Sequence, residues 1–213
     1  MTSNEIIRFL ISRPIQAGLV DKLKIRYRPV ICPFEKLLSY SKDKTSACDI
    51  GCGSGQFCAL IARFTSVKRI MGIEINQTLI NNAHQMNDEF KASKSFTFEV
   101  FDGVNIPDEV GEYEIVYLID VFHHIPMTQQ ALFMKQLHRK MRRGATLVFK
   151  DIDGGSPLVI FNKLHDIIFS QDLGREMPYG NGLRLLKEIG FTIQSSFRKR
   201  MFVYPHYFII CSK

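Results

Sequence analysis

Residues 47–58, ACDIGCGSGQFC, constrain the fold of this chain more than any other segment. They lead from an apolar run that can form a buried strand into a segment with helical periodicity, and between the two the residues read D-x-G-x-G-x-G. Three glycines at alternate positions allow a sharp turn whose backbone is not covered by side chains, so a ligand can lie against it. The helix after the turn would point its first N–H groups into the same space and could receive an anion. The segment therefore predicts a strand, a turn and a helix that bind a nucleotide-like cofactor.

A second acidic residue follows at the distance that such a site requires. The apolar, β-branched run RIMGIEI, residues 69–75, predicts the next strand, and Glu74 near its end lies 19 residues after Gly55. In nucleotide-binding βαβ units, an acidic residue about 20 residues after the glycines binds the ribose hydroxyls. Glu74 is therefore the predicted ribose ligand, and a solvated carboxylate at the end of a strand is the simpler alternative.

The spacing of the glycines separates two classes of cofactor. Counted from Gly51, the third glycine of the dinucleotide fingerprint G-x-G-x-x-G is replaced by Gln56. The pattern D-x-G-x-G-x-G instead resembles motif I of the class I S-adenosylmethionine-dependent methyltransferases. This resemblance is good over residues 45–151 and looser on both sides. It implies S-adenosylmethionine as the cofactor and S-adenosylhomocysteine as the product.

The resemblance also implies which residues bind the cofactor. In the family, the acid and glycines of motif I hold the methionine end, and the acid after the second strand holds the ribose. An acid after the third strand accepts a hydrogen bond from the adenine amino group, and the end of the fourth strand lies beside the methionine end. The residues at those positions here are Asp49, Gly51, Cys52, Gly53, Gly55, Glu74, Ile75, Asp102, Gly103, Ile119 and Asp120. For Asp102, an ordinary turn residue is the alternative.

Two adjacent histidines follow the predicted fourth strand, YEIVYLID. They stand in the sequence VFHHIP, which resembles the small-molecule and quinone-type members of the family. Members that methylate amino groups of nucleic acids carry Asn or Asp followed by Pro-Pro-aromatic at this point, and this sequence does not. A hydroxyl acceptor near neutral pH needs a general base. The candidates are His124 first, then His123 and Asp151, with His165 and His206 as further ones, and a structural role is the alternative for each.

The order of the predicted elements indicates the fold. Strands alternate with helices and an antiparallel pair follows, which is typical of an α/β doubly wound sheet with right-handed crossovers. The resemblance implies a Rossmann-like, mostly parallel sheet of seven strands in the order 3-2-1-4-5-7-6, with the last strand antiparallel. We expect residues 1–44 to form an N-terminal helical cap and residues 45–213 to form one compact methyltransferase domain. The cap could be a lid over the acceptor, built from Phe34, Tyr27 or Arg28, or it could only pack on the sheet.

Local signals predict several boundaries. Ser3 is the candidate N-cap of the first helix, and Pro14 can open a second helix over residues 14–24. A short helix is expected over residues 34–40, and Asn76 can cap the helix that follows the second strand. The glycines and prolines of residues 170–181 predict an irregular loop before a last helix over residues 183–189. Pro205 interrupts the predicted last strand, so we expect an edge position or a bulge there.

The charge of the chain limits its partners. A net charge of +7 and a sequence pI near 9.2 favour acidic partners, such as anionic lipid, acyl-carrier proteins or nucleic acid. The basic residues are dispersed and lack the interleaved aromatic residues of single-strand-binding proteins, which argues against nucleic acid. The 17 phenylalanines and the basic surface favour a lipidic, polyketide-like or quinone-like acceptor, methylated at oxygen and either small or carrier-bound. The same phenylalanines could simply form the core. A weak association with anionic surfaces is also expected.

Cysteines and hydropathy indicate the class of protein. Cys48, Cys52 and Cys58 have the spacing C-x3-C-x5-C, which matches no ligand set for a metal, so we expect buried, reduced thiols and no metal. No apolar run reaches the ~18–20 residues that span a bilayer. The first residues lack the pattern of a secretory signal. The expected location is the cytoplasm.

Two other functions stay open at this point. An NAD-dependent oxidoreductase would use Glu74 in the same way, although Gln56 counts against it. A methyltransferase fold that serves as a non-catalytic binding module is the non-enzymatic alternative. The intact glycines, together with Glu74 and Asp102, count against loss of cofactor binding in such a module.

Overall fold

A computed structural model describes residues 2–13, 28, 31–169 and 174–213, and for residues 3 and 165–169 it describes the backbone only. The helix predicted over residues 14–24 and the lid candidate Tyr27 lie outside these ranges. The side chain of the candidate base His165 also lies outside them.

Helices and strands alternate along the chain. The first elements are α1 (Ser3–Ile11), α2 (Phe34–Ser39), β1 (Ser46–Ile50), α3 (Gln56–Phe64), β2 (Arg69–Glu74), α4 (Gln77–Asn87) and β3 (Ser95–Val100). The remaining ones are β4 (Ile115–Ile119), α5 (Met127–Lys140), β5 (Thr146–Ile152), α6 (Val159–Phe169), α7 (Tyr179–Ile189), β6 (Thr192–Met201) and β7 (Tyr204–Ser212). Short 3-10 turns lie at Asp88–Phe90, Asp108–Glu112 and Phe122–His124. No helix in the described ranges is long and apolar enough to cross a bilayer.

The seven strands form one sheet in the order β3-β2-β1-β4-β5-β7-β6. β1 pairs with β2, β2 with β3, and β4 with β5 in parallel, whereas β7 is antiparallel to both β5 and β6. Every residue of β1, β4 and β5 is buried, as is typical of parallel strands covered on both faces. The predicted strand order and antiparallel last strand are confirmed.

The chain divides into two compact units, Met1–Asp102 and Gly103–Lys213. In the first unit, the apolar stripe of α3 is buried, with Phe57, Leu60 and Ile61 at most 2% exposed. Phe34 of α2 stacks on Phe57 with ring centroids 5.6 Å apart. The predicted helix after residue 33 therefore packs directly on α3.

The cap of α1 differs from the prediction by one residue. Thr2, not Ser3, is the N-cap: its hydroxyl accepts a hydrogen bond from the Glu5 N–H at 3.3 Å, and the Glu5 carboxylate accepts one from the Thr2 N–H at 2.6 Å. This reciprocal pair is a capping box, whose signal was the Glu three residues after the Thr. The predicted cap of α4 is confirmed, because the Asn76 side chain accepts from the N–H groups of Thr78 and Leu79.

In the second unit, α7 begins one turn earlier than predicted, at Tyr179 and not at residue 183. The N–H of Tyr179 donates to Oδ1 of Asp153 at 3.0 Å, so a residue distant in sequence starts the helix. Gly182 lies inside α7 and faces β7: an added Cβ would be in ordinary van der Waals contact, 3.4 Å from the Tyr207 hydroxyl. The irregular loop predicted over residues 170–181 therefore ends before Tyr179.

Pro205 does not interrupt the last strand. It is the second residue of β7, which is an interior strand, and it pairs with Arg200 of β6. The expectation of an edge position was wrong, because a proline near the beginning of a strand interrupts few ladder hydrogen bonds. The irregularity lies in β6, where the register shifts between Ile193 and Ser195.

Candidate functional site

The glycine turn between β1 and α3 has an open side and a packed side. Gly51, Gly53 and Gly55 all have left-handed backbone angles, with φ of 73°, 54° and 72°. A Cβ added to Gly55 would lie 2.8 Å from the Cβ of Ala83, so this glycine allows α3 to approach α4. A Cβ added to Gly53 would meet no atom within 4 Å. The backbone at Gly53 therefore borders space that a ligand can occupy.

The carboxylate of Glu74 is held at the edge of this turn. One oxygen accepts a hydrogen bond from the N–H of Gly53 at 3.1 Å, and the other accepts from the N–H groups of Ile75 at 2.8 Å and Asn76 at 3.2 Å. An ionised carboxylate has about four lone-pair sites. Three protein donors fix its orientation and leave acceptor capacity for a hydroxyl of a ligand.

Asp49 supplies a buried carboxyl group to the same unit. It is 4% exposed, and the Cys58 thiol lies 3.8 Å from its Oδ2. Burial raises the pKa of Asp49 to about 7, although Arg28 and the Cys58 thiol act in the opposite direction; the charge of Glu74 raises it further. A buried carboxyl with this pKa gains strongly from a cationic ligand group, because the cation replaces the solvation that burial removed.

Two further predicted cofactor ligands follow the parallel strands of the first unit. Ile75 comes directly after β2, and Asp102 comes two residues after β3; both are exposed. β2 and β3 are parallel and in register, with Glu74 opposite Val100, so these residues lie at the same edge of the sheet. In open α/β sheets this carboxyl edge is the ligand side.

All five cysteines are buried and free, and the predicted burial of Cys48, Cys52 and Cys58 is confirmed. The Cys52 thiol donates to the Gly53 carbonyl at 3.6 Å. Burial raises the pKa of Cys48, and the hydrogen bond with Cys52 together with burial raises the pKa of Cys58. Within the part of the chain that is described, no group of three or more His, Cys, Asp or Glu is arranged to hold a metal ion.

At the end of β4, in the second unit, Asp120 receives a buried cation. Lys150 is 0% exposed, and its Nζ lies 2.5 Å from both carboxylate oxygens of Asp120. Asp120 has a left-handed φ of 55°, and its N–H donates to the Lys150 carbonyl at 2.9 Å. Ile119, the residue before it, is buried. Lys150 was absent from the predicted site; its signal was a lysine inside the apolar strand ATLVFKDID.

Two of the three predicted catalytic residues are in contact. Nδ1 of His123 is hydrogen-bonded to Oδ1 of Asp151, and the backbone N–H of His123 donates to Oδ2 at 3.0 Å. The N–H of Ile152 also donates to Asp151, at 2.8 Å. Both side chains are buried. Asp151 therefore fixes the orientation of the His123 ring and of the turn Phe122–His124.

His124 lies beside this pair and is more accessible. Its ring centroid is 4.1 Å from that of His123, the planes are tilted by 46°, and its side chain is half-buried. His206, the further candidate on β7, is opposite Ile152 of β5, whereas Asp151 is opposite Tyr207. Since side chains alternate between faces along a strand, His206 and Asp151 point to opposite faces of the sheet. The structure does not group His206 with the His123–Asp151 pair.

Tyr207 is a buried polar residue that sequence reasoning missed. Its hydroxyl has no hydrogen-bond partner among the described residues. Burial and the nearby charges of Asp151, Asp153 and Asp120 raise the pKa of Tyr207 well above its ordinary value. The group is therefore a neutral hydroxyl beside the acidic ends of β4 and β5. An aromatic residue within the apolar run of β7 was its only sequence signal.

Part of this chain is similar in sequence to known proteins. Residues 41–187, more than half of the chain, match the family described as Methyltransferase domain. The probable methyltransferase ltbC of Aspergillus luteorubrus is 26% identical over 123 residues, which cover 54% of this chain and 42% of that protein. Norajmaline N-methyltransferase of Rauvolfia serpentina is 25% identical over 108 residues, 51% of this chain and 36% of that protein. The chain thus spans less than half the length of either relative.

A solved structure shares the fold along the whole chain. Magnesium protoporphyrin IX methyltransferase (ChlM) from Synechocystis PCC 6803, with bound SAH, superposes with a TM-score of 0.71 at 16% identity, over 100% of this chain and 95% of that chain. At this identity the similarity shows the fold. Together with the matched family, it shows that the chain belongs to the class I S-adenosylmethionine-dependent methyltransferase domains.

Proposed function

We propose that this chain transfers a methyl group from S-adenosylmethionine to an oxygen of a small apolar acceptor. The observation that carries the proposal is the hydrogen bond between Gly53 and Glu74, because it places a fixed carboxylate beside an open, side-chain-free turn. A dinucleotide-binding site would use the same acid, Glu74. This turn, however, has Gln56 where such a site has its third glycine.

The residues of the first unit fit this cofactor. We assign the ribose hydroxyls to the Glu74 carboxylate, the amino group of the methionine end to Asp49, and the adenine amino group to Asp102. The backbone of the glycine turn from Gly51 to Gly55, including Cys52, would line the cofactor, and Ile75 would contact its apolar surface. When bound, S-adenosylmethionine supplies an electrophilic methyl group on a sulfonium sulfur and leaves as S-adenosylhomocysteine.

The residues of the second unit fit a general base. We assign the removal of the acceptor proton to His124, because its imidazole is half-exposed while its neighbour is buried. His123 and Asp151 act as positioning residues: their hydrogen bonds hold the turn that carries His124. A general base contributes about 10²–10⁴-fold to a rate, which is roughly 3–5 kcal/mol of the barrier. Holding the reactants in place contributes roughly 7–11 kcal/mol. Positioning therefore lowers the barrier more than the base does, and the base matters most for a hydroxyl.

Apolar side chains of α6 support an apolar acceptor. Ile160, Phe161 and Leu164 are between 41% and 52% exposed. The helix follows β5 after a short turn, so it begins close to Asp151 and Asp153 in the chain. Apolar surface near polar groups is typical of sites for small ligands. We propose a lipidic, polyketide-like or quinone-like acceptor, either small or carried on a protein.

Calorimetric titration tests the cofactor assignment. We expect S-adenosylhomocysteine and S-adenosylmethionine to bind and NAD to remain silent. Glu74→Ala should weaken binding by about tenfold to a hundredfold, since a hydrogen bond to a charged group contributes ~1.5–3 kcal/mol. Glu35→Ala, an exposed glutamate of α2 in the same unit, is the matched control and should bind as the unmodified chain does. Binding of NAD alone would assign the site to an oxidoreductase.

Methyl transfer to a panel of hydroxyquinones, phenols, hydroxylated fatty acids and amines tests the acceptor. We expect transfer to hydroxyl compounds with an apolar body. His124→Ala should lower turnover by about 10²–10⁴-fold and leave the affinity for S-adenosylhomocysteine unchanged. Transfer to amines alone, or turnover that is unaffected in His124→Ala, would contradict the assignment.

We also propose a cytoplasmic location, which the absence of a disulfide among the five cysteines supports.

A further inference from the structure

The turn that joins β6 to β7 exposes apolar side chains. It consists of Phe202 and Val203, which are 69% and 37% exposed. They follow Met201, the last residue of β6, and precede Tyr204, the first residue of β7, which is buried. Scattered exposed apolar residues are common, but a phenylalanine at the tip of a two-residue turn is remote from any core. These two residues form the hairpin tip.

The backbone of the hairpin tip also disfavours phenylalanine. Phe202 has a φ of 53°, in the left-handed region. Only glycine and, to a lesser extent, asparagine and aspartate adopt this region readily, and other residues lose roughly 1–2 kcal/mol there. Burial does not compensate for this loss, because the ring is exposed. A residue that is unfavourable for both reasons points to a role in binding and not in stability.

Three basic residues precede the hairpin tip on β6. Arg198, Lys199 and Arg200 precede it and are exposed, and residues 192–213 contain no Asp or Glu. Arg198 forms an ion pair with Asp153 at 2.9 Å, whereas Lys199 and Arg200 form none with any residue that the structure describes. Because side chains alternate along a strand, Lys199 and Arg200 lie on opposite faces of the hairpin. The tip therefore carries positive charge on both sides.

We propose that the hairpin tip docks on the surface of an anionic membrane. Phe202 and Val203 would enter the boundary between headgroups and acyl chains, where apolar side chains are buried, and Lys199 and Arg200 would meet the lipid headgroups. The hairpin reaches lipid without a membrane-spanning helix. Docking of the hairpin tip on a membrane does not depend on the proposed methyl transfer.

The size of the apolar surface favours a membrane over an acidic protein. A specific protein interface buries roughly 800 Å² on each partner around an apolar centre. Two tip residues supply a small part of such a centre. A bilayer surface needs no matching shape: it accepts one or two apolar side chains and adds ~1 kcal/mol for each neighbouring cation, or about fivefold in affinity.

The binding experiment uses the full chain and two kinds of vesicle. One kind contains phosphatidylcholine alone, and the other contains equal parts of phosphatidylcholine and phosphatidylglycerol. The chain has no tryptophan, so Phe202→Trp provides a single fluorescent reporter at the tip. We expect co-sedimentation with the anionic vesicles only, loss of binding at high salt, and a blue shift of the Phe202→Trp emission on binding. Absence of binding to the anionic vesicles overturns the proposal.

Matched variants separate the tip from the overall charge. Lys199→Glu and Arg200→Glu should each weaken binding by at least about fivefold, whereas Lys187→Glu on α7 should weaken it less. Equal losses in all three would indicate nonspecific attraction and contradict docking through the tip. Leu132 on α5 is 52% exposed, and Leu132→Asn serves as the apolar control, which should bind vesicles as the unmodified chain does.

Phe202→Asn separates a loss of vesicle binding from a loss of folding. Asparagine tolerates the left-handed region, so this variant should be at least as stable as the unmodified chain and yet lose about tenfold or more in vesicle affinity. Unchanged vesicle binding by Phe202→Asn would overturn the role of the tip. Binding to an immobilised acidic carrier protein, with no binding to vesicles, would assign the hairpin to a protein partner instead.

Discussion

The backbone N–H of Gly53 donates a hydrogen bond to the carboxylate of Glu74 at 3.1 Å, across 21 residues of sequence. The two sequence signals for a cofactor, the glycine turn and the acid after the second strand, are therefore parts of one site. The bond couples them physically. A change at the turn should affect binding through this contact even when the fold survives.

Alanine substitutions at two glycines of the turn should have different effects. Gly53→Ala should cost roughly 1–2 kcal/mol of stability, from its left-handed φ, and should strongly weaken S-adenosylhomocysteine binding because the new methyl group enters the ligand space. Gly55→Ala should destabilise the protein more, because its Cβ would lie 2.8 Å from that of Ala83. Urea unfolding and calorimetry on both variants measure the two effects. Equal losses of stability would show that the turn has no open side.

The stability of the ligand-free protein should fall as pH rises toward neutrality. The ordinary pKa of Asp49 is 3.8, and burial raises it to about 7 in the folded protein. Between these values the unfolded chain has released the proton and the folded protein keeps it, so folding is favoured at the lower pH and the gain is lost as pH rises through the folded pKa. Asp49→Asn should remove this component and be more stable above pH 7. Urea unfolding over a pH series provides the measurement.

Binding of the cationic cofactor should release a proton from Asp49. A positive charge near the carboxyl lowers its pKa, so a carboxyl with a pKa of about 7 ionises when the ligand binds. Affinity should therefore increase with pH up to and slightly beyond neutrality. Calorimetry in two buffers with different ionisation enthalpies counts the released protons. Asp49→Asn should release fewer, and identical release by both proteins would rule out Asp49 as the source.

The ion pair between the fully buried Lys150 and the partly exposed Asp120 should be sensitive to the loss of one partner. Asp120→Ala leaves the ammonium of a fully buried lysine without its counter-charge, which costs about 3–5 kcal/mol. The double variant Asp120→Ala with Lys150→Met should recover most of this loss, since apolar replacements of buried pairs are often neutral or stabilising. Chemical unfolding of the single and double variants tests this. A double variant as unstable as the single one would indicate that Lys150 is not charged there.

The start of α7 should depend on Asp153. Its Oδ1 accepts hydrogen bonds from the N–H groups of Gly155 and Tyr179, both at 3.0 Å. Asp153→Ala should cost about 1–2 kcal/mol, the usual loss for a removed cap, and should raise amide hydrogen exchange in the first turn of α7. Asp153→Asn retains an acceptor oxygen and should show the smaller effect. Equal exchange rates in both variants would contradict a capping role.

Features encoded in short segments were predicted well. The alternation of strands and helices gave the class of fold, and motif I gave the family and with it the strand order, which the structure confirms. Asn76 was predicted as the cap of α4 because capping depends on a side chain and the N–H groups two and three residues later. Glu74 was singled out because strand, turn and helix lengths in a βαβ unit are narrow enough to give a spacing.

Features that depend on residues distant in sequence were not predicted. The early start of α7 requires an acceptor on Asp153, and the position of Pro205 is harmless only because β7 begins one residue before it. The sequence shows Lys150 only as a residue near the end of a strand, and the folded structure brings its Nζ to the carboxylate of Asp120. The contact of Lys150 with Asp120 follows from the pairing of β4 with β5, and the contact of Asp153 with Tyr179 joins residues 26 positions apart. Periodicity within one segment specifies neither.

Local sequence was thus sufficient for the type of the helices and strands that the structure describes, the open glycine turn and the acid that it meets, because these depend on backbone conformation and spacing over a few residues. The folded chain was needed to show that His123 binds Asp151, that Lys150 binds Asp120, and that Asp49 is buried without full compensation. Desolvation and the partner of a buried charge arise from the whole packed structure, and they set the proton affinities on which the proposed chemistry depends.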